Sequence, residues 1–324
     1  MLVAVLLFIL GLVMLIFGGD WFVDGSVGIA RRLKMSELII GATVVSIGTT
    51  LPEVMVSVTA AFETHPEIAY GNAIGSIICN TALISAVTMA VRPSDVDKKT
   101  LRLPLAFFFA AAAAYAAVAY TTGYFSRLMG IGLLLVFVAY MFALIITSRR
   151  AGRKLEAQKE EPEPAPEGKA WKDILLLVVG AALIAVGARL LVDNGTKIAT
   201  ELGVPETVIA LTFVALGTSL PELVTAITSL VKGHSALSLG NIIGANLFNL
   251  VLVSGAAMTV RPFGVPAEKL IGGMNASLVV DIPVMGAVML IMALPALIRG
   301  KVSRWQGILL LCIYAGYCVF QFAL

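Results

Sequence analysis

The sequence predicts an all-α polytopic membrane protein, with ten transmembrane helices arranged as two inverted five-helix repeats. Three observations carry that prediction. Of 324 residues, 59% are hydrophobic and only 13% charged, whereas a soluble domain carries about 25% charged residues. Apolar runs long enough to cross ~30 Å of hydrocarbon recur along the whole chain, without the period-two alternation of a membrane barrel. The second half also repeats the first at a constant offset of 169 positions.

The expected spans are 2–26, 36–62, 67–91, 103–121, 127–148, 173–195, 206–231, 236–259, 282–298 and 304–323. No basic residue precedes the first run and no small-residue cleavage site follows it, so it reads as a retained helix and not a secretory signal. The second and third spans hold the polar motifs described below, and the seventh and eighth repeat them. The sixth repeats the first: Gly11 matches Gly180 and Asp24 matches Asp193. The register continues through Gly71-Asn72 with Gly240-Asn241 and Arg92-Pro93 with Arg261-Pro262. It resumes at Pro104 and Pro283 if the second half carries ten extra residues. Residues 150–171, rich in Pro, Glu and Lys, bury no apolar area and read as a flexible cytoplasmic linker between the repeats 1–149 and 172–324. Five spans per half turn the second half upside down, the architecture of secondary transporters that bind substrate near the midplane at the repeat interface.

Basic residues orient the chain. With the N-terminus outside, the cytoplasmic connections hold 18 Lys and Arg and the outer ones 4. Both termini are then outside and the linker is cytoplasmic. The net charge of +3 points to no polyanionic partner, and no feature points to nucleic acid.

Two acids interrupt the apolar pattern inside near-copies of one motif. TVVSIGTTLPE ends at Glu53 and TFVALGTSLPE ends at Glu222, with seven of eleven positions identical. A carboxylate at bilayer depth costs at least ~2.5–3.5 kcal/mol and marks a functional site by default. Pro52 and Pro221 lack an N–H and crowd the carbonyls of Gly48 and Gly217, so each helix should kink or open there. Irregular backbone at that depth survives where it lines a cavity. Thr49 lies one turn from Glu53 on the same face. Carboxylate, hydroxyl and carbonyl are hard donors that suit Ca²⁺ and Na⁺. In the second motif, Asn72, Ser76 and Asn80 form a stripe at spacing four, and Asn241 and Asn249 repeat it with Ala245 between them. The accompanying glycines also fit a small-residue packing face, and spacing alone leaves open which role the Asn residues have.

The paired Gly-Thr-Thr/Ser-Leu-Pro-Glu and Gly-Asn-x-Ile-Gly-Ser/Ala elements resemble the two α-repeats of the cation/Ca²⁺ exchanger superfamily, in its prokaryotic sodium/calcium exchanger branch. The resemblance implies a core of the second, third, seventh and eighth spans, past which the first and sixth slide. It implies Glu53 and Glu222 as central ligands shared by Ca²⁺ and Na⁺, with hydroxyls from Thr50 and Ser219 and Thr49 and Thr218 flanking. Ser46 and Ala215 would give backbone carbonyls and Ser76 a side chain to outlying Na⁺ sites, while Asn80 and Asn249 line the centre. Two departures stand out: Ala245 replaces a hydroxyl, and Asn249 stands where some relatives have Asp. The expected activity is antiport of Na⁺ against Ca²⁺, with no cofactor and with the ions and the lipid bilayer as partners.

A Ca²⁺/H⁺ antiporter, a K⁺-dependent exchanger and a passive cation channel stay open. An intramembrane enzyme is not expected, since no serine–histidine pair is present and the acids lie outside the frame of intramembrane aspartyl proteases. Cys79, Cys312 and Cys318 lie in apolar segments and read as buried thiols. Asp20, Asp24 and Asp193 read as interfacial and Arg189 as snorkelling or paired with an acid. Glu63, His65 and Glu67 read as a solvated outer loop, and His234 lies on an inner turn.

Overall fold

A computed structural model describes residues 2–157, 169–203, 217–267 and 270–323, excluding the side chains of 149–157 and 322–323. Its helices are α1 (Leu2–Leu33), α2 (Glu37–Phe62), α3 (Pro66–Val91), α4 (Lys98–Thr121), α5 (Arg127–Ala157), α6 (Ala170–Glu201), α7 (Leu220–Val231), α8 (Ser235–Val260), α9 (Ser277–Arg299) and α10 (Arg304–Ala323). Among the described residues, eight helices are long and apolar enough to cross a membrane. The first part of the expected seventh span, residues 206–216, lies outside the described residues.

Helix ends move from their expected places for local reasons. α1 runs to Leu33, with Arg31 and Arg32 in its last turn where the dipole favours cations. α4 starts at Lys98 instead of 103 because Asp97 caps it, accepting the Lys99 N–H at 3.0 Å. The Thr100 hydroxyl also donates to Asp97 and holds that carboxyl below the usual carboxylate range. α5 continues as helix to Ala157 and α6 begins at Ala170, so helix covers both edges of the expected 150–171 linker; residues 158–168 lie outside the described set. Of the three thiols expected inside, Cys79 is buried, Cys318 is half-buried and Cys312 is exposed. A thiol in an apolar run on a surface helix is free to face lipid as readily as protein.

Repeat symmetry is visible in what touches what. α1 and α6 pack through small residues seven apart. A Cβ on Gly11 would lie 2.8 Å from the Gly187 carbonyl, and one on Gly180 would lie 2.8 Å from that of Gly18. Since Gly11 and Gly18 match Gly180 and Gly187, the two contacts are repeat images, as an antiparallel pair about a pseudo-twofold axis requires. At the Arg32 end an ion pair to Asp173 joins the same two helices. The loops show the same exchange: Ser94–Asp95 pairs with Lys301–Val302, and Tyr124–Phe125 with Phe263–Gly264, all antiparallel. The extra residues of the second half fall in the α8–α9 connection. They include a hairpin, Leu270–Ile271 with Met274–Asn275, closed by Gly272 and Gly273 at φ +56° and +85°, as a primed turn demands.

Two apolar cores result. The larger draws on α2–α5 and α7–α10. The smaller joins α1 and α6, through Phe22, Val27, Ile184 and Ala188, to Ile40, Val45 and Leu237. Lys232, just past α7, ties α1 to the body by ion pairs to Asp24 (2.8 Å) and Asp20 (3.2 Å). Partial burial pulls its ammonium pKa down, but these bonds and charges outweigh that and hold it above 10.5. Their contribution is therefore present below that pH and lost as pH rises beyond it. Arg189, the repeat counterpart of Asp20, instead pairs with Asp193 on its own helix at 3.6 Å.

The glycine contact is testable. Gly18→Leu should destabilise the protein by about 1–3 kcal/mol through overpacking, read as a lower melting temperature in detergent. Gly132→Leu, where nothing lies within 4 Å of an added Cβ, should melt at or above the wild type. Equal melting of the two variants would refute the close contact.

Candidate ion-binding site

The site is built by α2, α3, α7 and α8. α2 is α-helical to Ile40, widens to a π turn over Gly41–Val45, and is α-helical again from Ser46 to Phe62. The expected opening at Pro52 does not occur, because the helix passes through Pro52 unbroken. The irregularity lies about two to three turns earlier, over Gly41–Val45, where α8 crosses. An added Cβ on Gly41 would strike the Leu237 carbonyl, and one on Gly244 would strike Ser46 Oγ. Ser46 Oγ donates to the Gly41 carbonyl at 2.7 Å, inside the widened turn. In the second copy residues 217–219 form a turn and α7 starts at Leu220. Pro221 then sits in a first turn, where its missing N–H costs nothing.

α3 and α8 each carry a π turn opening on the matched asparagine, Asn80–Ser85 and Asn249–Val253. Such turns aim side chains that a regular helix would direct elsewhere. Segment Ser46–Phe62 packs on Asn249–Val253, α7 packs on Asn80–Ser85, and α2 and α7 also meet. The two acids and the two asparagines therefore converge from opposite halves.

Among the described residues, buried polar atoms without a partner concentrate here. Glu53, Glu222, Asn80, Asn249 and Thr50 are all fully buried. Both oxygens of each Glu, both amide atoms of each Asn and Thr50 Oγ1 have no hydrogen-bond partner. Ordinarily more than about 90% of buried polar groups are paired. The two carboxylates lie within electrostatic range of each other. Thr49 Oγ1 faces the Glu222 carboxylate and Ser219 lies beside Cys79 Sγ. Uncompensated acceptors facing one another create a place for a cation, since a buried charge must be paired or must coordinate an ion.

The other candidate residues fall as follows. Ser76 is buried one turn before Asn80, Ser219 is buried, and Thr218 is half-buried in the 217–219 turn. Ala215 lies outside the described residues. Asn72 binds within its own half, donating to the Glu53 carbonyl (3.0 Å) and Ser57 Oγ (2.9 Å). Two features escaped sequence reasoning. Asn241 reaches across to Ser46 and Thr49. Asn246, matched by Ile77 in the first half, donates to Thr81 Oγ1 at 2.7 Å. The break in the repeat at Asn246 was the available signal. Outside the site, His234 pairs with Glu37 at 2.8 Å and His65 with Glu67 at 3.1 Å.

Known proteins resemble this chain along most of its length. The family described as sodium/calcium exchanger protein matches residues 3–146 and 172–323. The chain is 30% identical over 351 residues to the sodium/calcium exchanger MaX1 of Methanosarcina acetivorans, covering 98% of both chains. It is 37% identical over 265 residues to the inner membrane protein YrbG of Escherichia coli, covering 81% of both. A solved structure of the sodium-calcium exchanger NCX_Mj, soaked with Na⁺ and Sr²⁺, superposes with a TM-score of 0.79 at 34% identity, covering 97% of both chains.

An ionised group buried without a partner is costly, so removing its charge should not harm the fold. In ion-free buffer the Glu53→Gln and Glu222→Gln proteins should melt at or above the wild type. Ca²⁺ at 100 times its Kd stabilises a binding protein by about 2.7 kcal/mol. That rise in melting temperature should be present in the wild type and absent in both variants; its survival in both would exclude the carboxylates as ligands.

Proposed function

The chain belongs to the sodium/calcium exchanger family, and we propose that it exchanges Na⁺ for Ca²⁺ across the membrane by alternating access, at one central site shared by Glu53 and Glu222. The observation that carries this reading is the pair of fully buried, unpartnered carboxylates, one from each matched motif, within electrostatic range of each other. Two ionised carboxylates present −2, which one Ca²⁺ neutralises. Na⁺ ions need the same oxygens, so the two loads exclude each other. A loaded site crosses the dry intermediate at low cost, whereas the empty −2 site resists crossing, and that asymmetry couples the two fluxes.

Thr49, Thr50, Thr218 and Ser219 supply hydroxyls, Asn80 and Asn249 line the centre, and Ser46, Ala215 and Ser76 serve flanking Na⁺ positions. The hydroxyls favour Na⁺ over H⁺ as the counter-ion, because proton coupling needs only carboxylates. Ten spans form inverted repeats, 1–149 and 172–324, with both termini outside and the linker cytoplasmic. The α1–α6 pair, with its own small core, moves against the four-helix body to open each side in turn. If three Na⁺ exchange for one Ca²⁺, each cycle moves one charge, worth ~2.3 kcal/mol per 100 mV.

The test is ⁴⁵Ca²⁺ uptake into proteoliposomes under imposed gradients. An outward Na⁺ gradient should drive uptake, and an H⁺ or K⁺ gradient alone should not. Uptake that ignores Na⁺ and follows H⁺ would replace this reading with Ca²⁺/H⁺ antiport, and conductance without counter-ion exchange would indicate a channel. Glu53→Gln and Glu222→Gln should each abolish exchange, whereas Glu67→Gln in the outer loop should leave it near the wild-type rate.

A further inference from the structure

We propose that Asn241 is a positioning residue that takes the Thr49 hydroxyl hydrogen, so that Thr49 presents only lone pairs beside Glu222 and serves as a cation ligand. The proposal rests on the exchanger reading above and concerns a residue that reading leaves without a role.

A hydroxyl has one hydrogen and two lone pairs. Thr49 Oγ1 has two places to put its hydrogen near the site. One is the Glu222 carboxylate that it faces. The other is Asn241 Oδ1, at 3.2 Å across the repeat boundary. The choice decides the chemistry. A hydrogen donated to Glu222 occupies an oxygen the ion needs and turns the dipole of Thr49 against a cation. A hydrogen given to Asn241 leaves the Glu222 oxygens unbonded, as they are here, and sets Thr49 beside them as a further oxygen ligand. The helix's own alternative, the Ser46 carbonyl, is more distant at 3.5 Å.

Asn241 is held where it can act. It is fully buried. Its flanks approach α2 without side chains between, since an added Cβ on Gly240 would strike the Leu38 carbonyl and one on Gly244 would strike Ala42 and Ser46. Its backbone carbonyl lies 2.9 Å from Ser46 Oγ and its Oδ1 3.3 Å from that atom, which pins the amide against the turn carrying Thr49. The matched residue does something else. Asn72 stays in its own half because Ser57 offers it a hydroxyl at 2.9 Å. The counterpart of Ser57 is Ala226, which offers none, and Ser46, the cross-half partner of Asn241, corresponds to Ala215. Two serine-to-alanine differences between the halves thus give the site one clamped side.

The test is a double-mutant cycle on Na⁺-driven ⁴⁵Ca²⁺ movement in proteoliposomes, reading the half-saturating Na⁺ concentration. Asn241→Ala should raise that concentration about threefold to tenfold, the worth of one neutral hydrogen-bonded ligand. In a Thr49→Val background the same substitution should change it less than about twofold, because the group it acts through is gone. Equal factors in the two backgrounds would show that Asn241 acts only on packing and would overturn the assignment. If Asn241→Ala does not fold, as judged by its melting curve, the cycle run with Asn241→Ser decides by the same criterion. The wild type in the same vesicles separates the two levels of failure. Absence of Na⁺-driven movement there refutes the exchanger reading and this assignment with it, whereas wild-type exchange with equal factors refutes only the role of Asn241.

Discussion

Two carboxylates without partners, held together at the centre of an apolar body, are the constraint around which the rest of this protein is arranged. Any fold that buries Glu53 and Glu222 with both oxygens of each unbonded gives up stability that other folds keep. The surrounding structure holds that arrangement in place. Four helices meet at the acids, three of them leave regular α-geometry through π turns near the site, and glycines let α8 press against α2 closely enough to exclude competing side chains. α8 is the most deeply buried of the spanning helices, so the geometry of the site is set by packing and not by mobile loops.

Symmetry supplies the means. Matched stretches of the two halves pack on one another, so one Glu per half becomes a pair. The same operation appears in the exchanged glycine contacts of α1 and α6 and in the exchanged strand pairs of the loops. Where the halves differ, the differences are local and chemical. Ser57 and Ser46 have alanine counterparts, and the two motif asparagines accordingly bind in different directions. Asp20 and Lys232 correspond to Arg189 and Glu63, a swap that inverts both signs. Lys232 binds Asp20 and Asp24 across helices, whereas Arg189 turns to Asp193 on its own helix.

Stability is divided to match. The larger apolar core unites the helices that build the site, and a separate, smaller core holds α1 and α6 against them. That pair is welded internally by glycine contacts and by Arg32 with Asp173, and it meets the body through the smaller apolar core and the Lys232 ion pairs. A rigid two-helix unit on a rigid body is a suitable basis for motion between discrete arrangements, because packed interfaces switch between positions more readily than they deform.

Hydropathy, the 169-residue offset and the two intramembrane acids were sufficient by themselves to establish a repeated helical membrane protein and to single out Glu53 and Glu222, because burying charge in lipid is costly enough to be legible in any sequence; for the uncharged Asn80 and Asn249, spacing left the role open and only the family resemblance pointed to the centre. Helix ends were less legible, since caps such as Asp97 act over one or two residues and carry little hydropathy. Only the tertiary structure decided that α2 widens at Gly41–Val45 and not at Pro52, because that turn answers to the crossing of α8, which the local sequence does not contain. The same holds for Asn241: its motif was visible, but its direction depends on which hydroxyls the opposite half brings within reach, and that is a property of the assembled fold.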